Sequence, residues 1–217
     1  MKSFAVIGLG RFGSNLAKTL SDLGFEVLGI DEKPEAVARV CDDITHAVTG
    51  DAKEEHVLQS LGIRNFDCVI VAMSTDMQSS ILVTLMLKEM GVKEVVAKAS
   101  SDLHARVLQK VGADKVVFPE RDMGARLAQS LSMNSILEYI ELSDRYSIVE
   151  IMLPDKWEGR TLREIGVRSK YNVNVIGLRR TADGDLNIAP NPDEKLLRGD
   201  VLIVIGESEA ISRVSKL

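Results

Sequence analysis

Gly8-Leu9-Gly10-Arg11-Phe12-Gly13 is the stretch on which the reading of this chain turns. It is a GxGxxG, and its setting gives it force. It follows the apolar run Phe4–Gly8 and opens a helical pattern near 13–22. Gly8 permits the tight turn, Gly10 lets backbone approach a pyrophosphate, and Gly13 allows close packing of helix on strand. A helix N-terminus beyond such a loop presents N–H groups and a positive dipole end to phosphate oxygens. Asp31, with Glu32 beside it, ends the second apolar run, 18 residues past Gly13. A carboxylate there hydrogen-bonds a ribose hydroxyl pair. A tight turn with no ligand is the alternative, and strand, helix and acid together favour nucleotide binding.

Working outward, residues 1–118 alternate short apolar runs with helical patterns. The runs are Phe4–Gly8, Glu26–Ile30, His46–Val48, Cys68–Met73, Glu94–Lys98 and Lys115–Phe118. Short continuous runs rich in Val and Ile suit parallel strands buried on both faces. Helices are expected near 13–22, 34–40, 53–60, 77–90 and 102–111, with Gly24, Gly91 and Gly112 at helix ends. The implied fold is α/β, a Rossmann-like doubly wound parallel sheet over residues 1–120. Residues 121–138 read as a helical bridge, one long helix or two joined ones, with Met123, Leu127, Leu131 and, after a break near Asn134, Leu137 as its apolar stripe. Residues 139–217 read as a small α+β domain: a strand at Ser147–Leu153, a short helix at Thr161–Ile165, a hairpin pair at Val173–Arg179 and Leu186–Ala189 turning at Ala182-Asp183-Gly184-Asp185, a strand at Val201–Ile205 and a helix at Glu207–Val214.

The C-terminal strand ends line the ligand crevice in a sheet of this type. Asp51, with Ala52 after it, follows the third strand and either accepts a hydrogen bond from an adenine amino group or caps the next helix. Ala72-Met73-Ser74 ends the fourth strand on the same edge. Lys98 ends the fifth and either reaches phosphates or is solvated. Arg11, inside the loop, either forks onto phosphate oxygens or stands in solvent. Apolar residues on more than one face of the 77–90 helix imply either a two-sided core or a subunit interface.

Composition excludes several classes. The 217 residues carry 27 Lys plus Arg against 32 Asp plus Glu, a net charge of −5, which argues against broad electrostatic binding to a nucleic acid polymer or anionic lipid and leaves room for a local basic site. Cys41 and Cys68 form neither a disulfide framework nor a zinc site, which fits a reducing compartment. The most apolar stretch, Met77 to Leu87, has 11 residues where a spanning helix needs about 20. The N-terminus lacks the pattern of a signal peptide, so a cytoplasmic chain is expected. There is no GxSxG, no HExxH and no Walker A lysine. His46, His56 and His104 are scattered and read as surface or supporting residues, so no enzyme is expected.

With these residues in view, the chain closely resembles the cytoplasmic RCK regulatory subunits of bacterial Ktr/Trk potassium-uptake systems, in their KtrA/KtrC-like form. The resemblance runs from Ala5–Gly13 through Leu61-Gly62-Ile63-Arg64-Asn65-Phe66, Gly112-Ala113-Asp114 and Pro119-Glu120-Arg121-Asp122-Met123 to Tyr146-Ser147-Ile148-Val149-Glu150 and Arg168-Ser169-Lys170-Tyr171. It implies ATP or ADP in the N-terminal domain, Arg11 at the terminal phosphates, Asp31 on ribose, Asp51 and Ala52 at adenine, and Lys98 on phosphate. It implies Glu120 near an inter-subunit nucleotide, holding a cation (sodium, magnesium or calcium). It also implies dimers assembling into an octameric ring at the inner face of the membrane, under a potassium-transporting subunit of KtrB/TrkH type. Cyclic di-AMP would bind the C-terminal domain at positions near Arg168, Asn174, Val175 and Pro190. The competing readings are an NAD(H)-binding oxidoreductase-type chain, since Asp31 suits NAD as well, and a nucleotide sensor unrelated to ion transport.

Overall fold

The computed structural model describes residues 2–73, 76–132, 136–143, 145–181 and 184–217. The chain divides into two compact units, 1–120 and 121–217. Among the described residues, the first holds six parallel strands: β1 (Ser3–Ile7), β2 (Glu26–Asp31), β3 (His46–Thr49), β4 (Cys68–Val71), β5 (Val95–Lys98) and β6 (Lys115–Val117). Their order is β3-β2-β1-β4-β5-β6. The chain goes one way from β1 to β2 and β3, then returns to lay β4 on the other side of β1. That reversal opens a crevice at the carboxyl ends of β1 and β4.

Strand periodicity builds two cores. Ala5, Ile7, Val69 and Val71 face one layer, with Leu58, Val83, Leu87 and Leu108. Val6, Val27 and Ile70 face the other, with Leu9, Ala17 and Val40. β4 is buried along its whole length, as a central parallel strand covered on both faces requires. The helices are α1 (Arg11–Asp22), α2 (Pro34–Ala38), α3 (Glu55–Ser60), α4 (Met77–Glu89) and α5 (Asp102–Lys110). Gly24, Gly91 and Gly112, each at positive φ, follow the ends of α1, α4 and α5. On α4, Val83, Thr84 and Leu87 are buried while Met77, Leu82 and Leu85 are exposed. Its apolar residues therefore do occupy more than one face.

Helix α6 (Pro119–Ser132) begins earlier than expected, with proline in its first position, where a missing N–H costs nothing. It also stops sooner. The expected helix over 121–138 is corrected: Ile136–Glu141 is strand β7, paired antiparallel with β8 (Tyr146–Met152). Apolar residues in Ile136-Leu137-Glu138-Tyr139-Ile140-Glu141 come in pairs and do not alternate strictly, so it is the pairing with β8 that makes this segment a strand. Met123, Leu127 and Leu131 form an exposed stripe on α6.

The second unit carries a five-stranded sheet in the order β10-β9-β11-β8-β7, with β9 (Val173–Arg179), β10 (Leu186–Asn187) and β11 (Val201–Glu207). Helices α7 (Leu162–Ile165), α8 (Val167–Tyr171) and α9 (Ser208–Val214) accompany it. Its core gathers Val149, Ile151, Trp157, Ile165, Leu202, Val204, Ile211 and Val214. Thr161 and Glu164 close a capping box at α7, and Gly166 ends that helix in the left-handed region. The hairpin's second strand stops at Asn187, short of the expected Ala189. Ala182 and Asp183 of the expected turn lie outside the described residues. Among the described residues, no helix is long and apolar enough to cross a membrane.

Of the two readings of His104, supporting residue or surface residue, its burial fits the first. It is fully buried on α5, its Nδ1 accepting from the Ser100 N–H at 3.3 Å, with no partner for Nε2 among the described residues. Burial disfavours its charged form and lowers its pKa below the ordinary 6.5. Below about pH 6.5 the unfolded chain binds a proton that the folded chain refuses, so stability is lost as pH falls through that region. His104→Leu is expected to flatten the fall. Urea unfolding of both proteins at neutral and mildly acid pH checks it, and an unchanged pH slope refutes it.

Candidate functional site

A cavity of about 490 Å³ lies at the carboxyl edge of the parallel sheet. Gly8, Leu9, Gly10, Arg11, Phe12, Asp31, Glu32, Asp51, Ala52, Ala72, Met73, Lys98 and Glu120 all line it. Ser74 lies outside the described residues. Gly13 sits beneath the loop: a Cβ there would fall 1.9 Å from the Gly8 carbonyl oxygen. Gly8 has φ +94°, and a Cβ would meet the Met73 backbone. Gly10 is different, since a Cβ there meets nothing within 4 Å. The space above it is open to a ligand. Gly10 is also the N-cap of α1 and supplies no side-chain cap, so the first N–H groups of the helix face that space.

Asp31 ties the loop to the sheet. Its Oδ2 accepts from the Leu9 N–H at 2.6 Å and its Oδ1 from the Lys33 N–H at 2.9 Å. Each oxygen keeps a lone pair for a further donor. Asp51 does not cap α3, whose N-cap is Glu54. Its Oδ1 accepts from the Lys53 N–H at 2.9 Å, and the Lys53 ammonium lies 3.3 Å from its Oδ2.

Across the crevice, Lys98 is buried, with its ammonium 2.5 Å from Glu120 Oε1 and 5.5 Å from the Phe12 ring centroid. Register explains the pairing. Lys98 ends β5 opposite Val117 of β6, and Glu120 follows three residues on. The Lys98 hydrogen bond, with a smaller contribution from the nearby Arg11 charge, holds the Glu120 carboxyl below its usual range. Of the two sequence readings of Lys98, solvation is ruled out by burial. Arg11 stands exposed at the rim. The cavity is also lined by Lys33, Arg39, Lys53, Asp76 and Ser79, none singled out from sequence. Position is the signal for Lys33, Lys53 and Asp76, which lie in the loops after β2, β3 and β4, whereas Arg39 follows α2 and Ser79 stands in the first turn of α4. Asp76 accepts from the Ser79 N–H as N-cap of α4.

The described residues of this chain do not by themselves form a metal centre. Among the described residues no group of three or more His, Cys, Asp or Glu could hold an ion. Glu120 is a single carboxylate already paired with an ammonium, too few oxygens for a hard cation within this chain.

A second cavity, about 570 Å³, lies in the other unit and is lined by Leu162, Arg163, Gly166, Val167, Arg168, Ser169, Val173, Asn174, Val175 and Pro192. Arg168, Asn174 and Val175 meet there. Pro190 does not, and Pro192 takes its place. The reason is local: the Arg163 N–H donates to the Pro192 carbonyl at 3.0 Å, and the Arg163 guanidinium forks onto Asp193, drawing Pro192 to α7.

Comparison with known proteins agrees with this architecture. The TrkA-N domain model matches residues 4–119 and the TrkA-C domain model residues 147–217. The chain is 45% identical to the Ktr system potassium uptake protein C of Bacillus subtilis over 99% of its length and 96% of that protein's. It is 43% identical to the Ktr system potassium uptake protein A of the same organism, covering 98% and 95%. Among solved structures, the GsuK channel bound to NAD superposes with a TM-score of 0.65 at 18% identity, covering 99% of this chain and 39% of that one. The chain thus spans well under half of that channel, and the likeness concerns the fold.

Proposed function

This chain belongs to the Ktr/Trk family of RCK proteins with TrkA-N and TrkA-C domains, and on that premise we propose that it is the cytoplasmic, nucleotide-sensing subunit that gates a separate potassium-transporting membrane protein. The gating ligand is ATP or ADP, held in the crevice of the first unit. The observation that carries this reading is the buried Lys98 ammonium facing the same cavity as the glycine loop, with Arg11 at the rim. A glycine loop and an acid after β2 serve any adenine dinucleotide. A buried cation beyond them suits a ligand that ends in phosphate.

Gating needs a difference between ligands. Asp31 and Asp51 anchor ribose and adenine, which ATP and ADP share. Arg11, Lys98 and Glu120 sense the terminal phosphate, where the two differ, and a conformational equilibrium moves only by that difference. Self-association into a ring gives the exposed apolar residues of α4 and the Met123, Leu127, Leu131 stripe of α6 something to pack against. The cavity at Arg168 and Asn174, apolar with two arginines, suits a ligand of adenine rings and phosphates, and cyclic di-AMP fills that description. No catalytic step is assigned.

The test is direct. The purified chain is denatured and the released nucleotide identified by chromatography, then the stripped protein is titrated with ATP, ADP and NAD. ATP or ADP released, with micromolar or tighter rebinding, is the expected result. NAD(H) released, with no binding of ATP or ADP, overturns the ligand assignment in favour of the dinucleotide reading, which the open crevice and the Asp31 carboxylate also suit.

A further inference from the structure

We propose that Lys53 is the positioning residue through which this site selects adenine over 6-oxopurines, by fixing the Asp51 carboxylate as an acceptor in the purine half of the cavity. The inference rests on the adenine-nucleotide reading above and adds a residue to it. The purine half follows from the fold. The glycine loop and the α1 N-terminus take phosphate, and Asp31 at the end of β2 takes ribose. The base then lies outward, among the residues that follow β2 and β3, where Asp51 and Ala52 line the cavity.

There Asp51 is held twice by one residue. The Lys53 N–H donates to Oδ1 at 2.9 Å, and the Lys53 ammonium lies 3.3 Å from Oδ2. The same ammonium is 3.7 Å from Glu32 Oε2, so Lys53 bridges the loop after β3 to the loop after β2 across the rim. Hydrogen bonding and charge from Asp51 come first, and Glu32 and Asp76 add to them, to raise the Lys53 pKa above its ordinary value. The ammonium is therefore charged at any physiological pH. A carboxylate is an acceptor only. Held in place, it accepts from the exocyclic amine of adenine and repels the exocyclic oxygen of hypoxanthine or guanine. A site built to receive one donor rejects an analogue lacking it far more strongly than an apolar pocket does. Without the ammonium, Oδ2 loses its restraint while the Lys53 N–H still holds Oδ1, so the carboxylate rotates more freely and that rejection weakens.

The experiment is calorimetric titration of the full, nucleotide-stripped chain with ADP and IDP, for wild type, Lys53→Met, Lys53→Arg and Asp51→Asn. Wild type is expected to prefer ADP. Lys53→Met reduces the ADP-to-IDP ratio by about tenfold, mainly by weakening ADP. Lys53→Arg retains most of it, and adding Lys53→Met to Asp51→Asn changes nothing further. Thermal stability without nucleotide stays constant for the exposed Lys53 variants, which separates positioning from folding. A Lys53→Met chain with wild-type discrimination overturns this proposal alone. A wild type that binds neither ADP nor IDP overturns the adenine-nucleotide reading as well.

Discussion

Gly13→Ala is expected to abolish nucleotide binding and to destabilise the first unit, whereas Gly10→Ala abolishes binding and leaves the fold nearly intact. The two glycines look alike in sequence and differ in what surrounds them. A Cβ on Gly13 would fall 1.9 Å from the Gly8 carbonyl oxygen and 3.1 Å from the Ala72 side chain. The atom it meets is backbone, held by the turn at Gly8, whose N–H donates to the Ile30 carbonyl at 2.8 Å. Relief requires moving α1 off the sheet or reshaping the loop. Overpacking of this kind costs about 3 kcal/mol or more, and in a chain of this size each kcal/mol lowers the unfolding temperature by roughly 2–4 °C. A methyl on Gly10 meets nothing within 4 Å, and the backbone there, φ −68° and ψ −173°, is one alanine adopts freely. Its cost is at most about 1 kcal/mol for a poorer N-cap. On the proposed reading, that methyl occupies the space where phosphate oxygens approach the helix N-terminus. Thermal unfolding with and without ADP reads both effects. Gly13→Ala melts lower and shows no ADP shift; Gly10→Ala melts near wild type and shows none either. A Gly10→Ala protein still stabilised by ADP would refute the phosphate-loop assignment.

The contrast shows what the sequence carries and what it does not. The glycine loop, the acid after β2 and the alternation of buried runs with helices are local patterns, and they identify the doubly wound sheet without reference to contacts. The segment after α6 reads as helix from sequence because Met123, Leu127 and Leu131 keep a helical spacing and Leu137 adds a further apolar residue past the break near Asn134. What makes Ile136–Glu141 a strand is antiparallel pairing with β8, a partner that no periodicity names. The pairing of Lys98 with Glu120, 22 residues apart, depends on β6 lying beside β5. His104 reads as a polar position and is buried, because its face of α5 also carries Ala105 and Leu108. Lys53, by contrast, stands two residues from Asp51, and its grip on that carboxylate is the kind of local turn contact a sequence can disclose. Local chemistry was legible and cross-strand chemistry was not.

Lys98→Met is expected to lower ATP affinity by about 10- to 100-fold while leaving the stability of the unliganded protein unchanged or slightly raised. The asymmetry comes from where the two partners sit. The Lys98 side chain is 8% exposed and that of Glu120 is 70% exposed. Breaking a buried pair is costly when it strands a charge away from water. Here the stranded charge is Glu120, and water reaches it. Methionine meanwhile fills the lysine's volume against Phe12 without a charge to desolvate. The binding loss has no such compensation. A charge-assisted hydrogen bond to phosphate contributes about 1.5–3 kcal/mol. On the proposed reading, removing the ammonium also leaves the Glu120 carboxylate near the phosphates with only the more distant Arg11 charge to offset it. Arg11→Ala should behave differently, because an exposed guanidinium is screened and reaches only the end of the ligand. It is expected to bind ADP nearly as well as wild type and to lose the preference between ATP and ADP. Titration of the three proteins with both nucleotides, beside urea unfolding without ligand, separates a residue that holds phosphate from one that distinguishes its number. Wild-type ATP affinity in Lys98→Met would remove Lys98 from the site. An intact ATP-over-ADP preference in Arg11→Ala would move the sensing of the terminal phosphate to Lys98 and Glu120 alone.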